Sequence, residues 1–265
     1  MTYLERVSLV VRVAQDFGGK RYKQRNEAIY RVISPYITAL LVGTRVKPNH
    51  VSVVNLGVAM CAVWSFYLGG SGFIIGVVAL FINQVLDCVD GELARLKQLT
   101  SVTGLYLDRL SSLMYPGIVL AMGAGAAIRT GSSVLAVLGV AACAGNILYR
   151  YAFFAACTSI LEVLASGGSE RTRHQLRGAF SNELVDARGR ALRFAHQIGL
   201  WMASGYGFEW ALWLSLLVHF ALDSYMPVVA FLAFEAGITG AGFLAQVVSY
   251  VHGNRLDRIL ARLNG

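Results

Sequence analysis

Apolar residues in this chain gather into long runs, and the positions between them are turns and basic clusters. VSVVNLGVAMCAVWSFYLGG, residues 51 to 70, reads as a first membrane span whose start is marked by Pro48 and Asn49. The uncharged Gly-Ser-Gly at 70 to 72 turns the chain, and FIIGVVALFINQVLDCVDG carries it back as a second. Residues 91 to 103, with Arg95 and Lys97, read as a polar connection. A third span starts near Gly104 and continues through LSSLMYPGIVLAMGAGAA to stop at Arg129, Thr130 and Gly131. The fourth runs from about 132 to 158, with Asn146 and Arg150 toward its far end. Residues 187 to 206 read as an interfacial helix, about 208 to 222 as a short fifth span, Asp223 to Pro227 as a turn, and about 228 to 251 as the sixth. An alternative takes 190 to 206 as a span and shifts the later boundaries.

Ahead of the first span, Lys20, Arg21, Lys23, Arg25 and Arg31 precede ISPYITALLVG. That mixture suits an amphipathic helix on the membrane surface, its cations among lipid phosphates. The predicted fold class is therefore all-α: a polytopic membrane protein with six transmembrane helices and an N-terminal cytoplasmic amphipathic helix. Residues 1 to 265 make one domain, with 1 to 47 juxtamembrane and 48 to 258 the bundle. The N-terminus has no distinct signal-peptide core, so no cleaved leader is expected.

Composition agrees with this reading. Of 265 residues, 56% are hydrophobic and 14% charged, against about a quarter charged in a soluble domain. The net charge of +8 comes from basic residues flanking apolar runs, which is how membrane proteins orient against an anionic cytoplasmic leaflet. Nucleic-acid binding is not needed to explain it. With both termini inside, the basic N-terminal segment, the 91 to 103 connection, the arginine-rich 165 to 197 loop and the tail are all cytoplasmic, and the outside turns hold only Arg129. Cys61, Cys88, Cys143 and Cys157 stand singly, so neither disulfides nor a zinc site is expected. Glycines such as Gly117, Gly123 and Gly125 permit close helix packing and a homodimer.

Three carboxylates stand apart from this apolar background. Asp87 and Asp90 share a face of the second span, and Gly104, Asp108 and Ser112 share a face of the third. Adjacent antiparallel spans can bring these faces together near the cytoplasmic boundary. Close carboxylates repel unless a cation sits among them, and an oxygen-only set favours Mg²⁺ or Mn²⁺ over zinc. Gly91, Ala94 and Gly104 would let a phosphate-bearing ligand approach the backbone, with Arg95 supplying positive charge to it or capping the helix. Arg150 is read both as a snorkelling cation and as a ligand for a substrate phosphate. Salt bridging to Arg95, Lys97 and Arg109 is the bland alternative for the acids, and a cation-dependent transporter is a further one. The clustering at one membrane face argues against transport.

The pattern Asp87-x2-Asp90-Gly91-x2-Ala94-Arg95-x8-Gly104-x3-Asp108 resembles the signature of the CDP-alcohol phosphotransferase family, and PNHVS at 48 to 52 resembles the start of its first span. The resemblance implies transfer of a phosphatidyl or phospho-alcohol group from a CDP-linked donor to an acceptor hydroxyl, releasing CMP, with Mg²⁺ or Mn²⁺ held by Asp87, Asp90 and Asp108. It also implies substrate contacts at Asn49, Gly91, Ala94, Arg95 and Gly104. The family pattern ends in a further aspartate, taken as general base, where this chain has Ser112. Losing a general base typically costs about 10²- to 10⁴-fold in rate. Three explanations stand open: another base, such as Asp108, Glu183, Asp186 or a substrate phosphate; a non-catalytic protein that binds CDP-lipid; or a substituted sequence.

Overall fold

The computed structural model describes residues 2–17, 20–21, 28–167 and 206–252. These fall into two compact units, residues 1–131 and 132–265. Among the described residues, five helical stretches, counting 102–130 as one, are long and apolar enough to cross a membrane. Lipid offers backbone groups no hydrogen bonds, so each crossing segment satisfies its own as a helix. The chain is an all-helical polytopic membrane protein, apart from a two-residue antiparallel ladder pairing Asp16–Phe17 with Lys20–Arg21.

The first unit opens with α1 (Tyr3–Leu9), capped by Thr2, whose hydroxyl accepts from the Glu5 amide while the Glu5 carboxylate accepts from the Thr2 amide. One π-helical turn, Val10–Ala14, follows. The helix α2 (Ala28–Leu41) is 14 residues long, about 21 Å, too short to span. Next come α3 (Pro48–Leu68) and α4 (Ser71–Leu96). Pro48 occupies the first position of α3, where its missing amide costs nothing.

The α3–α4 hairpin is closed at both ends and locked in the middle. Gly69 and Gly70 turn it with φ of 60° and 54°, a region open to glycine without Cβ strain. Arg129, the cation expected outside, donates from its guanidinium to the Leu68 carbonyl, satisfying an acceptor at the end of α3. Midway, Asn83 Nδ2 donates to Asn55 Oδ1 at 2.7 Å, and both residues are buried. At the other end, Lys97 Nζ donates to the carbonyls of Thr44 and Val46, each at 2.8 Å, and ties down the loop before α3.

One expectation is corrected here. Residues 91 to 103 do not form a connection from their start: α4 stays helical through Gly91 to Leu96, and only a short link separates it from α5 (Val102–Ser111). Glu92, Leu93 and Ala94 are good helix formers, and Glu92 and Leu93 are fully buried, which offsets the entropic cost of Gly91. The third span agrees with its expected limits, running over Val102–Thr130, and is built from two helical segments, α5 followed by α6 (Met114–Thr130). Pro116 lacks the amide that would reach the Ser112 carbonyl one turn back, and its ring crowds that carbonyl, so the helix breaks at Ser112 and Leu113.

Two glycines of α6, Gly117 and Gly125, serve contacts within the chain. A Cβ on Gly117 would stand 3.2 Å from Val63 Cγ2, and one on Gly125 would collide with the Tyr67 carbonyl. Both are therefore used by α3.

In the second unit, α7 (Ser133–Gly167) extends beyond the expected end at 158, and α8 (Tyr206–Leu222) and α9 (Met226–His252) follow. The 17 residues of α8 reach about 26 Å, slightly short of the hydrocarbon core. Asn146 Nδ2 donates to Glu235 Oε1 at 2.6 Å, and Arg150 Nε donates to Asn146 Oδ1 at 3.0 Å. This polar line joins α7 to α9. All of the interfacial helix expected at 187 to 206 except Tyr206, and all but the first few residues of the 165 to 197 loop, lie outside the described residues.

Because the Cβ clash at Gly125 is with backbone, Gly125→Ala should cost about 1–3 kcal/mol, as overpacking does. Gly57 has open space where a Cβ would go. Thermal unfolding in detergent should show a lowered midpoint for Gly125→Ala and none for Gly57→Ala; equal midpoints would refute the close α3–α6 approach.

Candidate functional site

Three helix ends meet where the hairpin opens. The start of α3 presents Asn49 and Ser52, the last three turns of α4 present Asp87 and Asp90, and α5 presents Ser101 and Gly104 at its start and Asp108 in its second turn. Each is held there by a local bond. Ser52 Oγ donates to Asp90 Oδ2 at 2.6 Å, joining α3 to α4. Ser101 Oγ donates to Asn49 Oδ1 at 3.3 Å while accepting from the Gly104 amide at 3.0 Å, so one hydroxyl caps α5 and fastens it to α3. A Cβ on Gly104 would stand 3.1 Å from Asn49 Oδ1, which is why this position suits glycine.

The electrostatics follow from these placements. The amino ends of α3 and α5 carry the positive ends of their helix dipoles, and unsatisfied amides there favour anionic ligands. Asp108 is near enough to Asp90 for like-charge repulsion, and Arg95 opposes it with an attractive charge. Arg95 Nε donates to the Ala14 carbonyl at 2.7 Å. Its guanidinium folds back over Gly91, with Nη1 3.3 Å and Nη2 3.6 Å from where a Cβ would be. Arg95 thus lies along the last turns of α4 and does not reach out from a connection.

The face-to-face convergence expected of spans two and three is only partly present. Helix α5 packs against α3, and Asp108 is exposed, while Asp87 and Asp90 are half-buried on α4. Among the described residues, no three His, Cys, Asp or Glu side chains stand close enough to share a metal ion. The oxygen-only chemistry of Asp87, Asp90 and Asp108 fits a hard divalent cation; the gathered arrangement is what is missing, because α5 leans on α3.

Of the other expected site residues, Ala94 is half-buried one turn beyond Asp90. Ser112 sits at the break between α5 and α6, and its hydroxyl donates to the Arg109 carbonyl at 2.7 Å. Arg150 belongs to the second unit, bound to Asn146. Sequence reasoning passed over Ser52, Ser101 and above all Glu92. Glu92 has no exposed surface and accepts from Gln15 Nε2, Ser34 Oγ and Thr38 Oγ1. A third acid within six residues at the end of an apolar helix was the available signal.

The family model described as CDP-alcohol phosphatidyltransferase matches residues 45–220, a stretch that contains all of the helix ends described above. No curated protein matches the chain.

Ser101 is the hinge of this arrangement. Ser101→Ala should cost about 0.5–2 kcal/mol of α5 stability, the usual range for a lost N-cap. Amide exchange should accelerate across Val102–Asp108 and stay unchanged at residues 80 to 89 of α4; uniform exchange in both would contradict the capping role.

Proposed function

The chain belongs to the CDP-alcohol phosphatidyltransferase family, and we propose that it transfers a phosphatidyl or phospho-alcohol group from a CDP-linked donor to an acceptor hydroxyl, as a step of phospholipid or related phosphodiester synthesis. The observation that carries this is the match itself, which includes every motif position from Asp87 to Asp108 and the Asn49 region that packs against it. The concentration of arginine and lysine at that end supports a cytoplasmic side for the site and both termini.

The donor's anionic pyrophosphate would lie at the amino ends of α3 and α5, beside the guanidinium of Arg95. Its cytidine would rest on α4 beside Gly91 and Ala94, small residues that leave room there for the Arg95 guanidinium and a ligand together. Asp87, Asp90 and Asp108 would hold Mg²⁺ or Mn²⁺, which when bound neutralises pyrophosphate charge. The acceptor oxygen attacks the phosphorus that bears the lipid or alcohol; its bond to the bridging oxygen breaks, and CMP departs with that electron pair. The acceptor's proton passes to a carboxylate, assigned to Asp108, which is the exposed acid of the set.

Ser112 favours a second reading, a protein that binds CDP-lipid without turnover. Its hydroxyl proton is committed to the Arg109 carbonyl, and a serine at ordinary pKa is a poor proton acceptor.

Purified protein in bilayer discs, given Mn²⁺, CDP-diacylglycerol and a panel of alcohols, should release CMP. Asp87→Asn, Asp90→Asn and Asp108→Asn should each abolish release, and Ser112→Asp should accelerate it by at least about tenfold, within the range of a general base. CDP binding without CMP release from either wild type or Ser112→Asp would support the second reading. Absence of CDP binding would refute both.

A further inference from the structure

Glu92 lies two residues beyond Asp90, about 200° around the helix, and so faces away from the acids of the site. It is fully buried, and among the described residues it accepts hydrogen bonds from the N-terminal segment. Gln15 Nε2 reaches its Oε1 at 2.8 Å, Ser34 Oγ the same oxygen at 2.6 Å, and Thr38 Oγ1 its Oε2 at 2.7 Å. A buried carboxylate without such donors would be strongly unfavourable, so these contacts are a condition of the fold.

The donors are placed by an inverted helix. On α2, Val32, Tyr36 and Leu40 point outward at 66%, 49% and 60% exposure, while Ser34 and Thr38 are completely buried on the inner face. The apolar face of α2 is thus left for lipid and its hydroxyl face is turned to Glu92. Pro35, inside α2, cannot donate to the Arg31 carbonyl one turn back. Gln15 Nε2 supplies that bond instead, at 2.9 Å, from the same amide that binds Glu92. One side chain therefore joins the π-helical turn, the proline bend of α2 and the motif helix.

The residue before Gln15 continues the line toward the site. Ala14, buried with Val10 and Ala39, accepts from Arg95 Nε at 2.7 Å. This bond leaves the two terminal nitrogens of Arg95 over Gly91. Ala14 and Gln15 thus engage Arg95 and Glu92, residues one turn apart on α4.

We propose that Glu92 is a positioning residue: it docks the N-terminal segment on the motif helix, and that docking, through the Ala14 carbonyl, sets the guanidinium of Arg95 for the donor pyrophosphate. The N-terminal segment is then part of the nucleotide site and not only a membrane anchor. This rests on the proposed reading of the site as one for CDP.

The test uses the full chain in bilayer discs, with CDP and Mn²⁺ as probe. In the wild type, Glu92→Ala should weaken CDP binding about tenfold, the size of one charge-assisted hydrogen bond, and amide exchange should accelerate across residues 28 to 41. In an Arg95→Ala background, Glu92→Ala should cause no further weakening. Ser34→Ala combined with Thr38→Val removes two donors with little change of shape, and should give the same two signs where Glu92→Ala folds poorly. Unchanged exchange in α2, or equal weakening with and without Arg95, would overturn the positioning role while leaving the CDP site intact. Failure of the wild type to bind CDP would overturn the site and this role together.

Discussion

The buried amide pair between Asn55 and Asn83 sets the register on which the rest of the first unit depends. In a medium without competing water, two facing amides that miss each other leave unsatisfied groups, so a slide of α3 along α4 is opposed by more than loss of packing. Toward the start of α3 the pairing is fastened a second time, where Ser52 Oγ donates to Asp90 Oδ2 at 2.6 Å. The same register brings the Gly69–Gly70 turn to the other end, where Arg129 closes it.

Helix α4 then does two separate jobs with acids on two faces. Asp87 and Asp90 are half-buried near the open end of the hairpin, and Asp90 feels the charge of Asp108. Glu92 faces the N-terminal segment and is saturated by side-chain donors. The difference is physical: Glu92 is sealed from solvent by three side-chain donors, whereas Asp87 and Asp90 keep exposed surface through which a ligand could reach them. Continuation of α4 through Gly91 is what puts both kinds of acid on one rigid element.

Much of this was legible in the sequence because lipid imposes a simple rule. Runs long enough to cross, broken by glycine turns and flanked by arginine and lysine, gave the helices and most of their limits, and the i, i+3 spacing of Asp87 and Asp90 gave their shared face. What escaped depended on partners far apart in the chain. Glu92 finds its donors 54 to 77 residues away, and no local pattern announces such a contact. The hydroxyls of Ser34 and Thr38, spaced i, i+4 in an apolar helix, were a hint that this helix had a polar partner. The packing of α5 on α3 also lay beyond local pattern, since spacing tells which residues share a face and not which helix that face meets.

The break at Ser112 shows how a local rule and a functional position can bear on one another. Pro116 leaves the Ser112 carbonyl without its helical donor, and the Ser112 hydroxyl donates to the neighbouring carbonyl of Arg109. That stretch is therefore rich in acceptors, and a hydroxyl suits it because it can donate. A carboxylate at the same position could only accept; it would be repelled by both carbonyls and rotated away from the helix backbone. The bend that makes serine comfortable there is thus also the geometry that would expel an acid toward whatever the end of α5 faces.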